Sequence, residues 1–176
     1  MKPVFLIGFM GAGKSTVGKK LASALEIDFL DMDTLFEERY HMSIPVFFDK
    51  FGEGLFRKFE QEILISSCTL KDVLISTGGG TPCNNHAIQL MRRHGLILYL
   101  SMPPAALVSR LISAKRKRPL IFGKSEDELL EYITAKLEER SHFYNQAHLI
   151  ADGINVNIES LAAKIKEYPD SVSPVS

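Results

Sequence analysis

Short, almost continuously apolar runs recur along the chain. Three of them, Val4–Ile7, Val73–Ser76 and Leu96–Leu100, are typical of buried strands, and Asp28–Leu30 and His148–Ala151 are two further strand candidates. Strands without polar alternation, separated by helical segments, are typical of a parallel sheet that is covered on both faces. The pattern therefore predicts an α/β fold.

The segments between these strands carry apolar residues three and four positions apart, which predicts helices. Ser125 is a favourable N-cap for one of them, because its hydroxyl can accept a hydrogen bond from an unpaired backbone N–H group. The predicted helices cover residues 17–25, 56–64, 87–93, 107–112, 125–137 and 158–165.

Three polar motifs follow predicted strands. A glycine-rich loop follows the first strand, Asp31-Met32-Asp33 the second, and Ser76-Thr77-Gly78-Gly79-Gly80 the third. The carboxyl ends of parallel strands lie at the same edge of a sheet, and ligands of such folds bind beyond that edge. We therefore expect the three motifs to line one site.

Composition and charge narrow the class of protein. The chain has 176 residues, 45% hydrophobic and 24% charged, which suits one soluble domain. Its 21 basic and 21 acidic residues cancel, which argues against nucleic-acid binding because that needs a basic surface. Two cysteines, Cys68 and Cys83, are too few for a disulfide framework or a structural zinc site and fit a cytoplasmic protein. No apolar run has the length of a signal-peptide core or a membrane span, so we expect no membrane association.

The segment Gly8–Ser15 matches the phosphate-binding pattern G-x-x-x-x-G-K-[ST]. Its glycines let backbone N–H groups approach phosphate oxygens, and the helix that follows adds unpaired N–H groups and a partial positive charge. Lys14 can reach the β- and γ-phosphates, and the Ser15 hydroxyl can bind Mg²⁺. Thr16 is either a first-turn residue or a further phosphate contact. A chance glycine-rich turn is the alternative, but this match follows an apolar run and opens an amphipathic helix.

Asp31 and Asp33 lie two positions apart, so their carboxylates would point to the same side of an extended segment. One could hold the waters of a metal ion, and the other could take or orient the proton of an acceptor hydroxyl. The alternative is a solvated turn or a helix N-cap, with Thr34-Leu35-Phe36 starting the helix. The motif alone does not decide between these interpretations.

The arginines also have two interpretations. Arg57 and Glu60 fit a surface helix pair, although a guanidinium can also bind a carboxylate through two hydrogen bonds. Arg140 fits a favourable charge at the end of a helix. In a neutral protein, the basic run Lys115–Arg118 before Pro119 favours a mobile loop that brings arginine to a transferring phosphoryl group over a nucleic-acid patch.

Gly78, Gly79 and Gly80 follow a strand directly. Three successive glycines cost backbone entropy and pack no side chains, and a flexible linker would more often include serine or asparagine. The run therefore predicts close approach of backbone N–H groups to a ligand.

Taken together, these segments resemble the shikimate kinase family over most of the chain, from Gly8 to about Asp152. The shared motifs, in order, are GFMGAGKST, DMD, FRKFE with Arg57, STGGG, RPLI with Arg118, and RSHFY with Arg140 and Tyr144. The resemblance implies a five-stranded parallel sheet of the nucleoside-monophosphate-kinase type, flanked by helices on both faces and carrying a mobile lid. We expect a single domain of residues 1–168, with the lid at about 112–124 and a disordered tail at 169–176.

The resemblance also implies an activity, the ATP- and Mg²⁺-dependent phosphorylation of the 3-hydroxyl of shikimate on the way to chorismate and aromatic amino acids. It implies a cytoplasmic monomer. Lys14, Asp33 and Arg118 would be the catalytic residues, and Asp33 would be the candidate base. Shikimate would be bound by Asp33, Arg57, Gly79 and Arg140, with both arginines on its carboxylate. ATP would be bound by Gly11, Ala12, Gly13, Lys14, Ser15, Thr16 and Arg118, and Mg²⁺ by Ser15 and, through water, Asp31. We expect the four shikimate-binding groups to converge on one cavity.

The chain departs from the family pattern at two places. Members often carry an arginine near the start of the last helix, on the adenine side, where this chain has Gly153-Ile154-Asn155-Val156-Asn157. We therefore predict no adenine contact there. Thr81 follows the glycines where a small apolar residue is commoner.

Two alternative functions stay open at this point. A related kinase that acts on gluconate or a nucleoside monophosphate would keep the phosphate loop, but it need not keep Arg57, the glycine run and Arg140 together. A non-catalytic nucleotide-binding module would have little need of Lys14, Asp33 and Arg118.

Overall fold

The computed structural model of the chain describes residues 1–114 and 123–169. Within those residues, one five-stranded parallel sheet in the order β2-β3-β1-β4-β5 is surrounded by seven helices. The strands are β1 (Val4–Ile7), β2 (Asp28–Asp31), β3 (Val73–Ser76), β4 (Leu96–Ser101) and β5 (Leu149–Asp152). The helices are α1 (Lys14–Leu25), α2 (Met32–Tyr40), α3 (Ile44–Ser67), α4 (Asn85–His94), α5 (Pro104–Ile112), α6 (Glu126–Tyr144) and α7 (Ile158–Glu167).

The predicted α/β fold is confirmed. The bounds of β1 and β3 agree with the apolar runs. β2 and β4 end one residue later than predicted, and β5 is shifted by one residue at both ends. Ser125 is the N-cap of α6, where its hydroxyl accepts from the Glu128 N–H and the Glu128 carboxylate accepts from the Ser125 N–H. This reciprocal pair is a capping box, which fixes where the helix begins.

The sheet separates two apolar cores, because successive residues of a strand point to opposite faces. In β1, Val4 and Leu6 belong to one core, and Phe5 and Ile7 to the other. The first core includes residues of α1, α5 and α7, and the second includes residues of α2, α3 and α4. Helices therefore cover both faces, and the strands are buried except at the two edges.

Helix α3 bends at Gly52, whose φ of 79° and ψ of 168° lie outside the helical region. Among the described residues, and apart from the backbone of its own helix and its two chain neighbours, no atom lies within 4 Å of the position that a Cβ of Gly52 would occupy, so the backbone conformation and not crowding favours glycine there. The helical spacing predicted the second half of α3 and missed the half before Gly52. The bend sets the direction of the second half, which carries Glu53, Arg57 and Glu60.

The carboxyl ends of β1, β2 and β3 lie side by side in the sheet, as the parallel register requires. β1 continues into the glycine-rich loop, β2 ends at Asp31, and β3 runs into the glycine run. The Thr77 N–H donates to the Leu6 carbonyl over 3.1 Å, which extends the pairing of β3 with β1 to the start of the glycine run. The three motifs thus share one edge of the sheet.

Several sequence expectations concern residues outside the described ranges. The basic run with Arg118 lies outside them, as does most of the predicted lid at about 112–124, and both stay predictions. The predicted tail also lies outside them from residue 170 onwards. Among the described residues, no helix is both long and apolar enough to cross a membrane.

His148 connects the start of β5 to β4 through its ring. Its ring Nδ1 accepts a hydrogen bond from the Ile97 N–H over 2.9 Å, and its backbone N–H donates to the Ile97 carbonyl over 2.9 Å. Burial lowers the pKa of His148, and the neighbouring Arg92 guanidinium lowers it further. The neutral ring therefore belongs to the folded state, since a proton on Nδ1 would remove the acceptor that Ile97 needs.

We predict that acid weakens the fold through His148. A histidine with a lowered folded-state pKa binds its proton more readily after unfolding, so the free energy of unfolding falls as the pH drops below the unfolded value of about 6.5. Urea unfolding at about pH 7.5 and about pH 5.5 measures that loss. His148→Asn keeps an acceptor near the Nδ1 position and cannot titrate, so it should lose less stability than the wild type. Equal losses in both proteins would contradict this role.

Candidate active site

The glycine-rich loop wraps around its own lysine. Gly13 caps α1 in the left-handed region with φ 93°, a conformation that favours glycine. The Lys14 ammonium donates to the Gly8 carbonyl over 2.8 Å and to the Phe9 carbonyl over 3.1 Å. Lys14 therefore lies over the loop, beside the N-terminal N–H groups of α1, where negative charge is favoured.

Ser15 and Asp31 meet beside this loop. The Ser15 hydroxyl donates to Asp31 Oδ2 over 2.6 Å. No group of three or more His, Cys, Asp or Glu side chains within the described ranges could hold a metal ion. One hydroxyl and one carboxylate suit Mg²⁺, which keeps several waters and takes further oxygens from phosphates. The predicted metal-binding pair therefore fits the ion chemically.

The DMD segment is not extended throughout, because α2 begins at Met32. Asp31 is the N-cap of α2, and its Oδ1 accepts from the N–H groups of Asp33 and Thr34. The helix-cap interpretation is therefore right for Asp31, which also meets Ser15, but the helix begins at Met32 and not at Thr34. Asp33 lies in the first turn of α2, and the cap fixes where that turn starts.

The three glycines after β3 each lie against a different polar group. A Cβ on Gly78 would be 3.1 Å from Asp33 Oδ1 and 2.8 Å from Glu60 Oε1. A Cβ on Gly79 would be 3.1 Å from the Met10 backbone nitrogen, and one on Gly80 would be 2.8 Å from Arg57 Nη2. Side chains would force these groups apart, so the run allows α2, α3 and the phosphate loop to approach one backbone segment.

The Gly79 carbonyl connects this segment to α6. It accepts from the Tyr144 hydroxyl over 2.7 Å and, more weakly, from Arg140 Nη1 over 3.4 Å. Burial raises the pKa of Tyr144, so its hydroxyl keeps its proton and remains a donor. The Arg140 guanidinium also lies over the Phe9 ring, 5.4 Å from its centroid. Arg140 therefore contacts both the glycine run and the phosphate loop.

Arg57 is held by two carboxylates of its own helix. Its Nη1 donates to Glu60 Oε2 over 2.8 Å, while Nε and Nη2 donate to Glu53 Oε1 over 3.2 and 3.0 Å. Burial alone would lower the pKa of Arg57, but Glu60 and Glu53 outweigh it and raise the pKa. Glu60 is buried, whereas the Glu53 side chain is 64% exposed. A ligand can therefore replace the exposed Glu53 in its pair with Arg57 more easily than the buried Glu60.

The predicted residues line two adjoining cavities and not one. A cavity of about 290 Å³ is lined by the phosphate-loop residues together with Asp31, Asp33 and Gly79. A second cavity of about 650 Å³ is lined by Arg57, Arg140 and Gly80, among others. Because Gly79 and Gly80 are consecutive, the two cavities adjoin at the glycine run. The first can take phosphates, and the second offers two guanidinium groups to an anionic acceptor.

Arg110 and Cys83 also line these cavities, and their spacing in the sequence gave no sign of it. Arg110 of α5 donates to the Ala12 carbonyl over 2.8 Å and to the Gly153 carbonyl over 3.2 Å. It therefore connects the phosphate loop to the segment after β5. Cys83 lines the second cavity, and burial raises the pKa of its thiol although Arg140 opposes this.

Comparison with known proteins agrees with this geometry. The family model described as shikimate kinase matches residues 10–168 of the chain. A shikimate kinase of Bacteroides fragilis is 46% identical over 147 residues, which cover 84% of this chain and 82% of that protein.

Two solved structures are similar over almost their whole length. The crystal structure of shikimate kinase from Bacteroides thetaiotaomicron has a TM-score of 0.87 at 39% identity and covers 94% of this chain and 97% of its own. Shikimate kinase from Acinetobacter baumannii, solved in complex with shikimate, has a TM-score of 0.82 at 30% identity and covers 95% of this chain and 92% of its own. The likeness therefore extends over nearly the whole chain.

Proposed function

This chain belongs to the shikimate kinase family, and from that premise we propose that it transfers the γ-phosphoryl group of ATP to the 3-hydroxyl of shikimate. The products are shikimate 3-phosphate and ADP. The observation that carries the proposal is the glycine run, which lies against Asp33, Glu60 and Arg57 while its Gly79 carbonyl accepts from Arg140. One backbone segment thus brings a carboxylate and two guanidinium groups beside the phosphate loop.

The phosphate-loop cavity is the place for the nucleotide. Gly11, Ala12, Gly13 and Thr16 shape the loop and the start of α1, and Lys14 supplies positive charge beside the phosphates. Ser15 and Asp31 would hold Mg²⁺, whose positive charge offsets the negative charge of the phosphates. These are ordinary requirements of phosphoryl transfer, in which the protein chiefly positions the reactants and stabilises spreading negative charge.

The neighbouring cavity is the place for the acceptor. Arg57 and Arg140 line it and would bind the carboxylate of shikimate, since guanidinium groups match carboxylates through paired hydrogen bonds. An acceptor held there reaches over the glycine run towards the loop. Gluconate is also a carboxylate, but a nucleoside monophosphate has no carboxylate for this pair of arginines.

Asp33 lies on the phosphate side of the glycine run and would meet the acceptor hydroxyl. In the proposed step, the hydroxyl oxygen forms a bond to the γ-phosphorus while the bond from that phosphorus to the ADP oxygen breaks. Asp33 takes the hydroxyl proton or orients it. Arg118, assigned from the sequence alone, would bring further positive charge to the moving group.

The same proposal includes a monomer that works in the cytoplasm. The monomer is supported by the site itself. The phosphate loop, Asp33, Arg57 and Arg140 all come from one chain, so the described site needs no residue of a second copy.

A panel of acceptors tests the assigned substrate. In a coupled assay of ADP release, we expect turnover with shikimate and at most trace turnover with gluconate or nucleoside monophosphates. Turnover of one of those compounds without turnover of shikimate would overturn the assignment. Binding of ATP without turnover of any acceptor would favour the non-catalytic module.

Asp33→Asn tests the proton-handling role. The amide keeps the size of the side chain but is a poor base, so we expect kcat with shikimate to fall about 10²–10⁴-fold. The temperature of unfolding should change little, because the N-cap of α2 is Asp31 and not Asp33. A variant with wild-type kcat would remove Asp33 from this role.

Glu53→Gln tests whether Glu53 competes with the substrate. Glu53 holds the Nε and Nη2 groups of Arg57 that an incoming carboxylate would use. An exposed ion pair is worth at most about 1 kcal/mol, so its loss should lower KM for shikimate by about two- to fivefold with kcat unchanged. Arg57→Ala should instead raise KM.

Glu139→Gln is the matched control for that change. Glu139 lines the same cavity and is similarly exposed, at 62%, but it pairs with Lys136 and not with Arg57. Its replacement removes the same charge and should leave KM nearly unchanged. A raised KM in Glu53→Gln would show that Glu53 holds Arg57 in place for the substrate.

A further inference from the structure

Thr81 ends the glycine run with a buried hydroxyl that has a specific partner. The residue is 3% exposed, and its Oγ1 donates to Glu60 Oε1 over 2.6 Å. The other oxygen of the same carboxylate, Oε2, accepts from Arg57 Nη1 over 2.8 Å. Each oxygen of Glu60 thus has its own donor, one from the glycine run and one from the arginine.

This arrangement restricts Glu60 in two ways. Glu60 is only 7% exposed, and a buried carboxylate is costly unless donors satisfy its oxygens. With separate donors on its two oxygens, the carboxylate cannot rotate about its terminal bond without breaking a hydrogen bond. The orientation of the Glu60 carboxylate therefore fixes the position of the Arg57 Nη1 group.

Thr81 is itself held firmly. Its N–H donates to the Gly78 carbonyl over 3.2 Å, which closes a tight turn. Pro82 follows and restricts the backbone of Thr81, and the β-branched side chain has few rotamers. Gly78 has no side chain, and a Cβ there would be only 2.9 Å from the Thr81 hydroxyl. The hydroxyl therefore lies directly against the backbone of the glycine run.

We infer that Thr81 is a positioning residue for the acceptor: it orients Glu60, and Glu60 orients the Arg57 guanidinium that binds the carboxylate of shikimate. The inference rests on the proposed function. Glu53 cannot do the same, because it is exposed and holds the opposite side of the guanidinium. Thr81 also lines the acceptor cavity, but its hydroxyl donates to Glu60, so we expect it to act on the substrate through Arg57.

Thr81→Val removes the hydroxyl and keeps the shape of the side chain. We expect KM for shikimate to rise about three- to tenfold, since Glu60 loses a hydrogen bond that fixes its orientation, while kcat and KM for ATP stay within about twofold. Thr81→Ser restores the hydroxyl and should restore KM for shikimate. Thermal unfolding of each variant shows whether the fold is kept.

The methyl ester of shikimate separates positioning from a general structural effect. It lacks the negative carboxylate, so its inhibition constant against shikimate should differ by less than about twofold between wild type and Thr81→Val. If Thr81→Val weakens binding of the ester as much as binding of shikimate, the inference is overturned. The lost affinity would then not depend on the contact with the carboxylate.

A Thr81→Val protein with the wild-type KM for shikimate would also overturn it. If that variant does not fold, Thr81→Ala is judged by the same criterion. Shikimate turnover by the wild type separates a failure of the proposed function from a failure of the role assigned to Thr81. A wild type without shikimate turnover would contradict the proposed function itself, whereas an active wild type with an unaffected variant would contradict only the role of Thr81.

Discussion

The close approach of side chains to the bare backbone of Gly78–Gly80 is the constraint on which the rest of the site depends. Asp33 from α2 and the Glu60–Arg57 pair from α3 lie 2.8–3.1 Å from the positions that Cβ atoms of Gly78 and Gly80 would occupy. The Gly79 carbonyl accepts from Tyr144 and Arg140 of α6. Side chains at Gly78 and Gly80 would crowd these groups, and one at Gly79 would crowd the Met10 nitrogen, so three glycines in succession here are a requirement of assembly and not of flexibility.

The positively charged side chains of the site are also placed locally, around the two cavities. The chain has no net charge, yet the two cavities at the edge of the sheet are lined by Lys14, Arg57, Arg110 and Arg140. Local placement of cations, and not an overall field, therefore provides the attraction for phosphates and for a carboxylate. Glu53 and Glu60 offset the charge of Arg57 in different ways, since one is exposed and the other is buried.

Much of the fold followed from local pattern. The strands were predicted to within one residue, because buried parallel strands are continuous apolar runs. The phosphate loop was predicted because its phosphate-binding residues are consecutive in the sequence. Asp31 had two competing interpretations. The helix cap is confirmed, and the metal-binding role, which the contact with Ser15 fits, stays a prediction. Arg57 likewise makes the helix pairs that its spacing favours while it lines a cavity.

The remaining features depend on contacts between distant parts of the chain. Arg110 meets the Ala12 carbonyl across 98 positions, and no local pattern predicts such a contact. Thr81 was visible only as a departure from the family pattern, and its partner became clear from the turn that places it against Glu60. The expectation of one cavity was wrong in detail, because the glycine run lies between the phosphate side and the guanidinium side.

A crystal structure of the chain with shikimate and ADP tests the central claim most directly. We expect the shikimate carboxylate between Arg57 and Arg140, the ring over the glycine run, and the 3-hydroxyl within hydrogen-bond distance of Asp33 on the side of the phosphate loop. Shikimate bound away from the glycine run, or with its carboxylate turned towards the phosphate loop, would contradict it.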